Sequence, residues 1–238
     1  MPQLDFVEGL IWYFVFVYTT VIHEAGHAWA ALRLGDDTAY QGGQVSLDPT
    51  PHIKREPFGM VIVPILSWFL NGGRWMIGWA SAPYDPRWAM RHPRRAASMA
   101  MAGPGADLVL LLGAALLIHA GLKAGVFAIP DLHNIRIAHI VEAREGAKVW
   151  ELCATILSIA FSLQVILIPF NLLPLPPLDG SAFPLFFLSE SACEKYQEIL
   201  WNPTIRLFGI IVAWQIYGRI FPAIFRFALH LLYPDSFS

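Results

Sequence analysis

Long apolar stretches separated by short polar segments make up most of the chain. The first covers residues 10–34, and its first half, residues 10–22, carries no charged side chain. At about 1.5 Å rise per residue, a helix of this length crosses the roughly 30 Å hydrocarbon layer of a bilayer. Comparable stretches cover residues 96–122, 150–173 and 204–232. The pattern predicts an all-α polytopic membrane protein, a bundle of about four to five transmembrane helices.

A shorter apolar stretch, residues 58–70, follows the first one and contains Pro64. Apolar stretches of about 10–14 residues are more often re-entrant or interfacial than membrane-spanning. Gly72 and Gly73 come next, and Trp75 and Trp79 follow them, as is typical of the membrane interface. We therefore expect a short membrane-interface β-hairpin or a re-entrant segment. The alternative is a complete crossing over residues 58–82.

Composition agrees with a membrane protein and narrows the class further. The 238 residues are 56 % hydrophobic and 14 % charged, whereas an average soluble domain is about 25 % charged. The net charge is −2 and no Lys/Arg-rich run suggests nucleic-acid binding. Cys153 and Cys193 lie far apart and are expected to be buried free thiols. With no repeat and no soluble module visible, residues 1–238 are expected to form a single membrane domain.

The distribution of charge predicts how the chain is oriented in the membrane. Asp5 and Glu8 precede the first apolar stretch, and the first basic residue, Arg33, follows it. No basic segment of a cleavable signal peptide precedes that stretch. The densest basic cluster, residues 87–95, precedes the second long stretch. Because basic loops are retained in the cytoplasm, we expect the N-terminus outside and both basic segments inside.

Three ionisable side chains lie inside the first apolar stretch. His23 and His27 are four residues apart, so on a helix the two imidazoles lie on one face, one turn apart. Glu24 lies beside them, and this H-E-x-x-H arrangement is typical of two zinc-binding histidines with a glutamate that takes a proton from the bound water. The alternative is a chance match in which the histidines only form hydrogen bonds. An unpaired charge in the bilayer costs on the order of 2.5–3.5 kcal/mol, which favours the metal.

A second carboxylate of interest lies where the third long stretch ends. Asp179 follows a proline-rich segment, residues 174–177, that forces an extended backbone at the end of the helix. A carboxylate on such a rigid turn can point sideways into a helix bundle. If residues 58–82 do not cross the membrane, Asp179 lies in the cytoplasmic half of the bilayer, as do His23 and His27.

Three motifs together resemble the site-2 protease family of intramembrane zinc metalloproteases, in a compact form without a PDZ or CBS domain. They are His-Glu-Ala-Gly-His at 23–27, Ala-Gly-Pro-Gly-Ala-Asp at 102–107, and Asn-x-x-Pro-x-Pro-Pro-Leu-Asp-Gly at 171–180. The resemblance covers about residues 10–185, which leaves an additional C-terminal helix in residues 186–238. It implies a core of three spans, with the hairpin near residues 72–83 as a membrane-embedded β region beside the active site.

The resemblance also implies roles for individual residues. His23, His27 and Asp179 would bind one zinc ion per chain, and Glu24 would activate the water. Asn171 would hold the substrate strand or the developing oxyanion. The Gly-Pro motif usually ends in Asn, whereas this chain has Asp107. The carboxylate of Asp107 could be protonated, pair with a basic group, or compete as a metal ligand.

The leading functional hypothesis is hydrolysis of a peptide bond in a transmembrane protein substrate by a zinc-bound water. The protein would be a multi-pass protein of a prokaryotic plasma membrane, with its active site toward the cytoplasm. One alternative is a membrane metal-binding or transport protein, although such a protein needs polar residues through the full bilayer thickness. The other is an inactive relative that acts as a scaffold. Neither the substrate nor the oligomeric state is indicated by the sequence.

Overall fold

The computed structural model describes residues 4–131, 135–144 and 147–234, and these are mainly helical. A π-helical turn at Phe58–Ile62 leads directly into α4, and a 3-10 helix at Asp179–Phe186 follows α7. Two short strands, β1 (Phe127–Ala128) and β2 (Glu142–Ala143), pair antiparallel. The α-helices are α1 (Phe6–Leu34), α2 (Thr38–Gln41), α3 (Pro49–Arg55), α4 (Val63–Leu70), α5 (Pro86–Arg91), α6 (Pro93–Lys123), α7 (Lys148–Asn171), α8 (Glu190–Trp201) and α9 (Pro203–Leu232).

Within the described residues, four helices are long and apolar enough to cross a membrane: α1, α6, α7 and α9. The predicted fold class is therefore confirmed, and the chain is a multi-pass membrane protein. α1 begins four residues earlier than its apolar stretch. The reason is local: Asp5 Oδ1 accepts hydrogen bonds from the backbone N–H groups of Val7 (2.9 Å) and Glu8 (3.1 Å), which caps the helix.

The chain divides into two compact units. The first consists of Met1–Val21, Asp48–Ser81 and Leu108–Gln164, and the second of Ile22–Leu47, Ala82–Asp107 and Val165–Ser238. In the first unit, large apolar side chains from four stretches of the sequence form the core. Its best-buried members include Trp12, Phe16, Met60, Trp68 and Ile159.

The first unit also contains the segment whose crossing was left open. After α4, Gly72 and Gly73 take the positive φ angles of 64° and 77° that a tight turn requires. The chain then returns along the helix, since Ile77 N–H donates to Ser67 Oγ (3.0 Å) and Trp79 N–H donates to the Gly59 carbonyl (3.1 Å). The segment begins and ends at neighbouring positions, as a re-entrant segment does and a crossing helix does not.

The position predicted for a β-hairpin, residues 72–83, contains no strand. Among the described residues, the antiparallel pair lies instead at β1 and β2, where Phe127 is opposite Ala143. The cause is visible in the hydrogen bonds: backbone groups of Ile77 and Trp79 bond to the preceding helix rather than to a second strand. A helix followed by an extended return thus takes the place of the hairpin.

In the second unit, glycines allow close contacts between backbones. A Cβ at Gly26 of α1 would lie 2.9 Å from the Ala102 carbonyl oxygen of α6, so the two helices touch through this glycine. Gly209 of α9 likewise lies against the carbonyl oxygen of Pro176 in the proline-rich segment. Tyr217 OH donates to the Val165 carbonyl of α7 (3.1 Å), which ties α9 to the helix before Asp179.

Candidate metal centre

The C-terminal half of α1 places two imidazoles face to edge on consecutive turns. The ring centroids of His23 and His27 are 4.7 Å apart and their planes meet at 82°. Their Nε2 atoms are 3.0 Å apart, and both residues are 7 % exposed. The i, i+4 spacing predicted this arrangement, because side chains four residues apart lie on one helix face.

Asp179, the first residue of the 3-10 helix, brings a carboxylate to the same point. Its Oδ2 lies 3.3 Å from His23 Nε2, and its Oδ1 lies 3.4 Å from His27 Nε2. The backbone holds it there: a Cβ at Gly180 would clash with the carbonyl groups of Leu172 and Leu173, so the turn packs directly on the end of α7.

The other nitrogen of each ring is held by α6. His27 Nδ1 lies 2.9 Å from the carbonyl oxygen of Met99, and His23 Nδ1 lies 2.7 Å from Oδ2 of Asp107. A carbonyl only accepts, so His27 Nδ1 carries a proton, and in the neutral ring that metal binding requires its Nε2 has a lone pair. An ionised Asp107 imposes the same tautomer on His23. Both Nε2 lone pairs therefore face the same point.

This donor set fits a zinc ion. The ligand atoms of His23, His27 and Asp179 all lie within 4.8 Å of one another. Two donors at 2.0–2.1 Å in a tetrahedral site are roughly 3.3 Å apart, close to the observed separations. Two imidazole lone pairs that face each other repel unless a cation lies between them, and Asp179 Oδ2 has no hydrogen-bond partner among the described residues. Two nitrogens and one carboxylate leave one tetrahedral position for water.

Space for an ion beside the imidazoles depends on α6. A Cβ at Gly103 would clash with Nε2 of both His23 and His27. Since only glycine lacks that atom, only glycine at position 103 allows the α6 backbone to lie this close to the two imidazoles. The sequence identified Gly103 as part of the Gly-Pro motif at 102–107. Its contact with the imidazoles was not expected.

The remaining predicted site residues occupy different surroundings. Glu24 is only 6 % exposed and makes no hydrogen bond to any described residue. Asn171 is the last residue of α7 and is partly buried, and its side chain has no hydrogen-bond partner in the described part of the chain. The roles of Glu24 and Asn171 stay predictions.

Of the three alternatives for Asp107, the geometry favours pairing with a basic group. Its carboxylate contacts the far nitrogen of His23 and does not belong to the cluster formed by His23, His27 and Asp179. The Met99 carbonyl, which accepts from His27 Nδ1, was not predicted from the sequence. No side-chain pattern could have identified it, because every residue carries a backbone carbonyl.

A multi-pass helical fold that holds two histidines and an aspartate around one point defines the chain as a membrane protein with a candidate zinc centre. Comparison with known families gives a more specific result. The model of peptidase family M50 matches residues 11–212, so the chain belongs to peptidase family M50, the site-2 protease family.

One relative is a Bacillus subtilis (strain 168) protein named "Putative zinc metalloprotease YwhC". It is 29 % identical over 165 residues, which cover 69 % of this chain and 63 % of that protein. The chain thus spans less than two thirds of the length of its relative. No solved structure was found to match it.

Proposed function

We propose that this chain is a zinc metallopeptidase that hydrolyses peptide bonds of membrane-embedded protein substrates. The observation that carries the proposal is the convergence of His23 Nε2, His27 Nε2 and the Asp179 carboxylate within 4.8 Å. Membership of peptidase family M50 supports the reaction class, and the name of the Bacillus subtilis relative supports zinc as the metal.

In this proposal, His23, His27 and Asp179 hold one zinc ion per chain. When bound, zinc supplies a Lewis acid that lowers the pKa of a water and polarises the substrate carbonyl. Glu24, buried and without a hydrogen-bond partner among the described residues, accepts the proton of the attacking water and passes it to the leaving nitrogen. Asn171 donates its amide N–H to the substrate strand or to the carbonyl oxygen.

The substrate class follows from the surroundings of the site. His23, Glu24 and His27 lie within α1, a helix long and apolar enough to cross a membrane, which supports a substrate that approaches them from within the bilayer. A helical substrate has to unwind locally, because the carbonyls of a helix are bonded within the helix. We expect a transmembrane protein as the substrate.

We also propose that the site lies toward the cytoplasmic side of a prokaryotic plasma membrane. His27 contacts Met99, only four residues after Arg95 in α6, or about 6 Å along the helix axis. Arg95 in turn donates from Nη1 to the Leu34 carbonyl at the end of α1 (3.2 Å). The basic cluster of residues 87–95 thus lies near the metal-binding histidines, and the positive-inside rule places it in the cytoplasm.

Glu24→Gln tests the reaction, because it removes the base and keeps the size and polarity of the side chain. We expect cleavage of co-expressed, epitope-tagged single-span membrane proteins to fall about 10²–10⁴-fold, the usual contribution of a general base. Bound zinc, measured by elemental analysis of the purified protein, should remain at the wild-type level.

Two further variants separate the base from the metal ligands. His23→Ala and Asp179→Ala should lose both bound zinc and cleavage. Cleavage that persists in Glu24→Gln would contradict the proposed chemistry. Unchanged zinc content in Asp179→Ala would remove Asp179 from the ligand set.

A further inference from the structure

Asp107 is the most deeply buried carboxylate in the described part of the chain. It is 0 % exposed, whereas Glu24 is 6 % exposed and Asp36 is 4 % exposed. It lies on α6, one turn after Gly103, and its Oδ2 is 2.7 Å from His23 Nδ1. Its Oδ1 has no hydrogen-bond partner among the described residues. The contact with His23 is thus the one polar contact of Asp107 within the described ranges.

A buried carboxylate in such a setting needs a compensating partner. Transfer of an ionised group out of water is costly unless the group is paired and hydrogen-bonded. Position 107 could hold an apolar side chain or an amide at a smaller cost. The burial of Asp107 is therefore best explained by its contact with the imidazole of His23, which this contact orients.

The two imidazoles are oriented by acceptors of different charge. His27 Nδ1 donates to a neutral backbone carbonyl, that of Met99 (2.9 Å), whereas His23 Nδ1 faces a carboxylate. A carboxylate that accepts from Nδ1–H fixes the tautomer and the ring orientation, and it also makes the opposite nitrogen a stronger donor to a metal. We therefore expect His23 Nε2 to be a stronger donor to a metal than His27 Nε2.

We propose that Asp107 is a positioning residue of the metal centre. It fixes His23 with the proton on Nδ1 and aims Nε2 at the metal, and its charge tightens metal binding at that nitrogen. This inference rests on the zinc site of the proposed function but not on proteolysis, because it concerns metal affinity.

Zinc affinity of the purified protein in detergent tests this role. The zinc dissociation constant is measured by competition with a chelating fluorophore, and the visible spectrum of the cobalt(II)-substituted protein reports the ligand geometry. Asp107→Leu removes the acceptor and the buried charge. It should weaken zinc binding about 10–100-fold, the usual effect of losing such a partner, and should change the cobalt spectrum.

Asp107→Asn is the conservative variant, since its amide oxygen can still accept from His23 Nδ1–H. It should keep the wild-type cobalt spectrum and bind zinc more weakly than wild type but more tightly than Asp107→Leu. Gly105→Ala is a control two residues away, where an added Cβ meets nothing within 4 Å, and it should match wild type.

Two outcomes would overturn the inference. Wild-type zinc affinity in Asp107→Leu would mean that this carboxylate does not strengthen zinc binding by His23. Equal losses in Asp107→Asn and Asp107→Leu, with an altered cobalt spectrum in both, would instead make Asp107 a direct ligand. Normal zinc binding in a protein that cleaves nothing would refute the proposed function and leave the role of Asp107 intact.

Discussion

At the scale of single residues, Gly103 lies where any side chain would enter the candidate metal centre. The α6 backbone at Gly103 lies so close to His23 and His27 that a Cβ there would clash with their Nε2 atoms. Those are the atoms that face Asp179. The site therefore depends on an empty volume that one methyl group would fill.

Gly103→Ala tests this requirement. The methyl group has to displace one imidazole or the metal, and overpacking of this kind costs about 1–3 kcal/mol, or roughly 5–150-fold in affinity. We expect zinc affinity to fall by that factor in a competition titration, while the helix itself remains folded because alanine favours helices over glycine.

The matched control is Gly105→Ala in the same motif, where an added Cβ meets no other atom within 4 Å. It should retain zinc. If both alanine variants bind zinc equally, Gly103 does not determine the space at the site.

Part of the candidate metal centre could be predicted from the sequence, because it depends on local helix geometry. The spacing of His23 and His27 places them together on any helix, whatever that helix packs against. The proline-rich turn singled out Asp179, but its place beside His23 and His27 came only from the resemblance to a family, because that distance depends on how the chain folds. The contacts of Asp107 and Met99 depend on the rotation of α6 against α1, which no short pattern encodes.

At the scale of structural elements, residues 58–81 turn back on themselves, and glycines allow the two arms of this segment to touch. A Cβ at Gly59 would overlap the carbonyl oxygen of Trp79, and one at Gly78 would overlap the carbonyl oxygen of Gly59. Backbone atoms cannot rotate away as a flexible side chain can. The close approach of the helical arm to the extended arm therefore requires both glycines.

Gly59→Ala should destabilise the protein by separating these two arms. We expect a loss of about 1–3 kcal/mol, the usual cost of overpacking a tight contact, seen as a lower midpoint of thermal unfolding in detergent. Gly113→Ala is the comparison, because an added Cβ at Gly113 of α6 meets nothing within 4 Å. Equal midpoints for the two variants would argue against tight packing between the arms.

The same segment marks the limit of what the sequence predicts about elements. The shortness of residues 58–70 correctly favoured a segment that turns back. The tryptophans and glycines that follow also suggested a strand pair, and that detail was wrong. Which backbone groups pair is decided by tertiary packing, and here Ile77 and Trp79 bond to the helical arm.

At the scale of the whole molecule, the orientation of α6 in the membrane can be tested directly. The helix has 31 residues and is therefore about 46 Å long, more than the roughly 30 Å hydrocarbon layer. We expect its N-terminal end to lie in the cytoplasm, because the positive-inside rule retains the basic cluster of residues 87–95 there. Lys123, at its other end and exposed, should then lie on the opposite side of the membrane.

Single cysteines in a variant without Cys153 and Cys193 make this measurable. Lys123→Cys should react with a membrane-impermeant thiol reagent in intact cells. Asp37→Cys, in the exposed turn after α1, should react only after the cells are permeabilised, because the same rule places Arg33 at the cytoplasmic end of that helix. The reverse pattern would move the metal centre to the outer side of the membrane, and labelling of both cysteines in intact cells would contradict a crossing by α6.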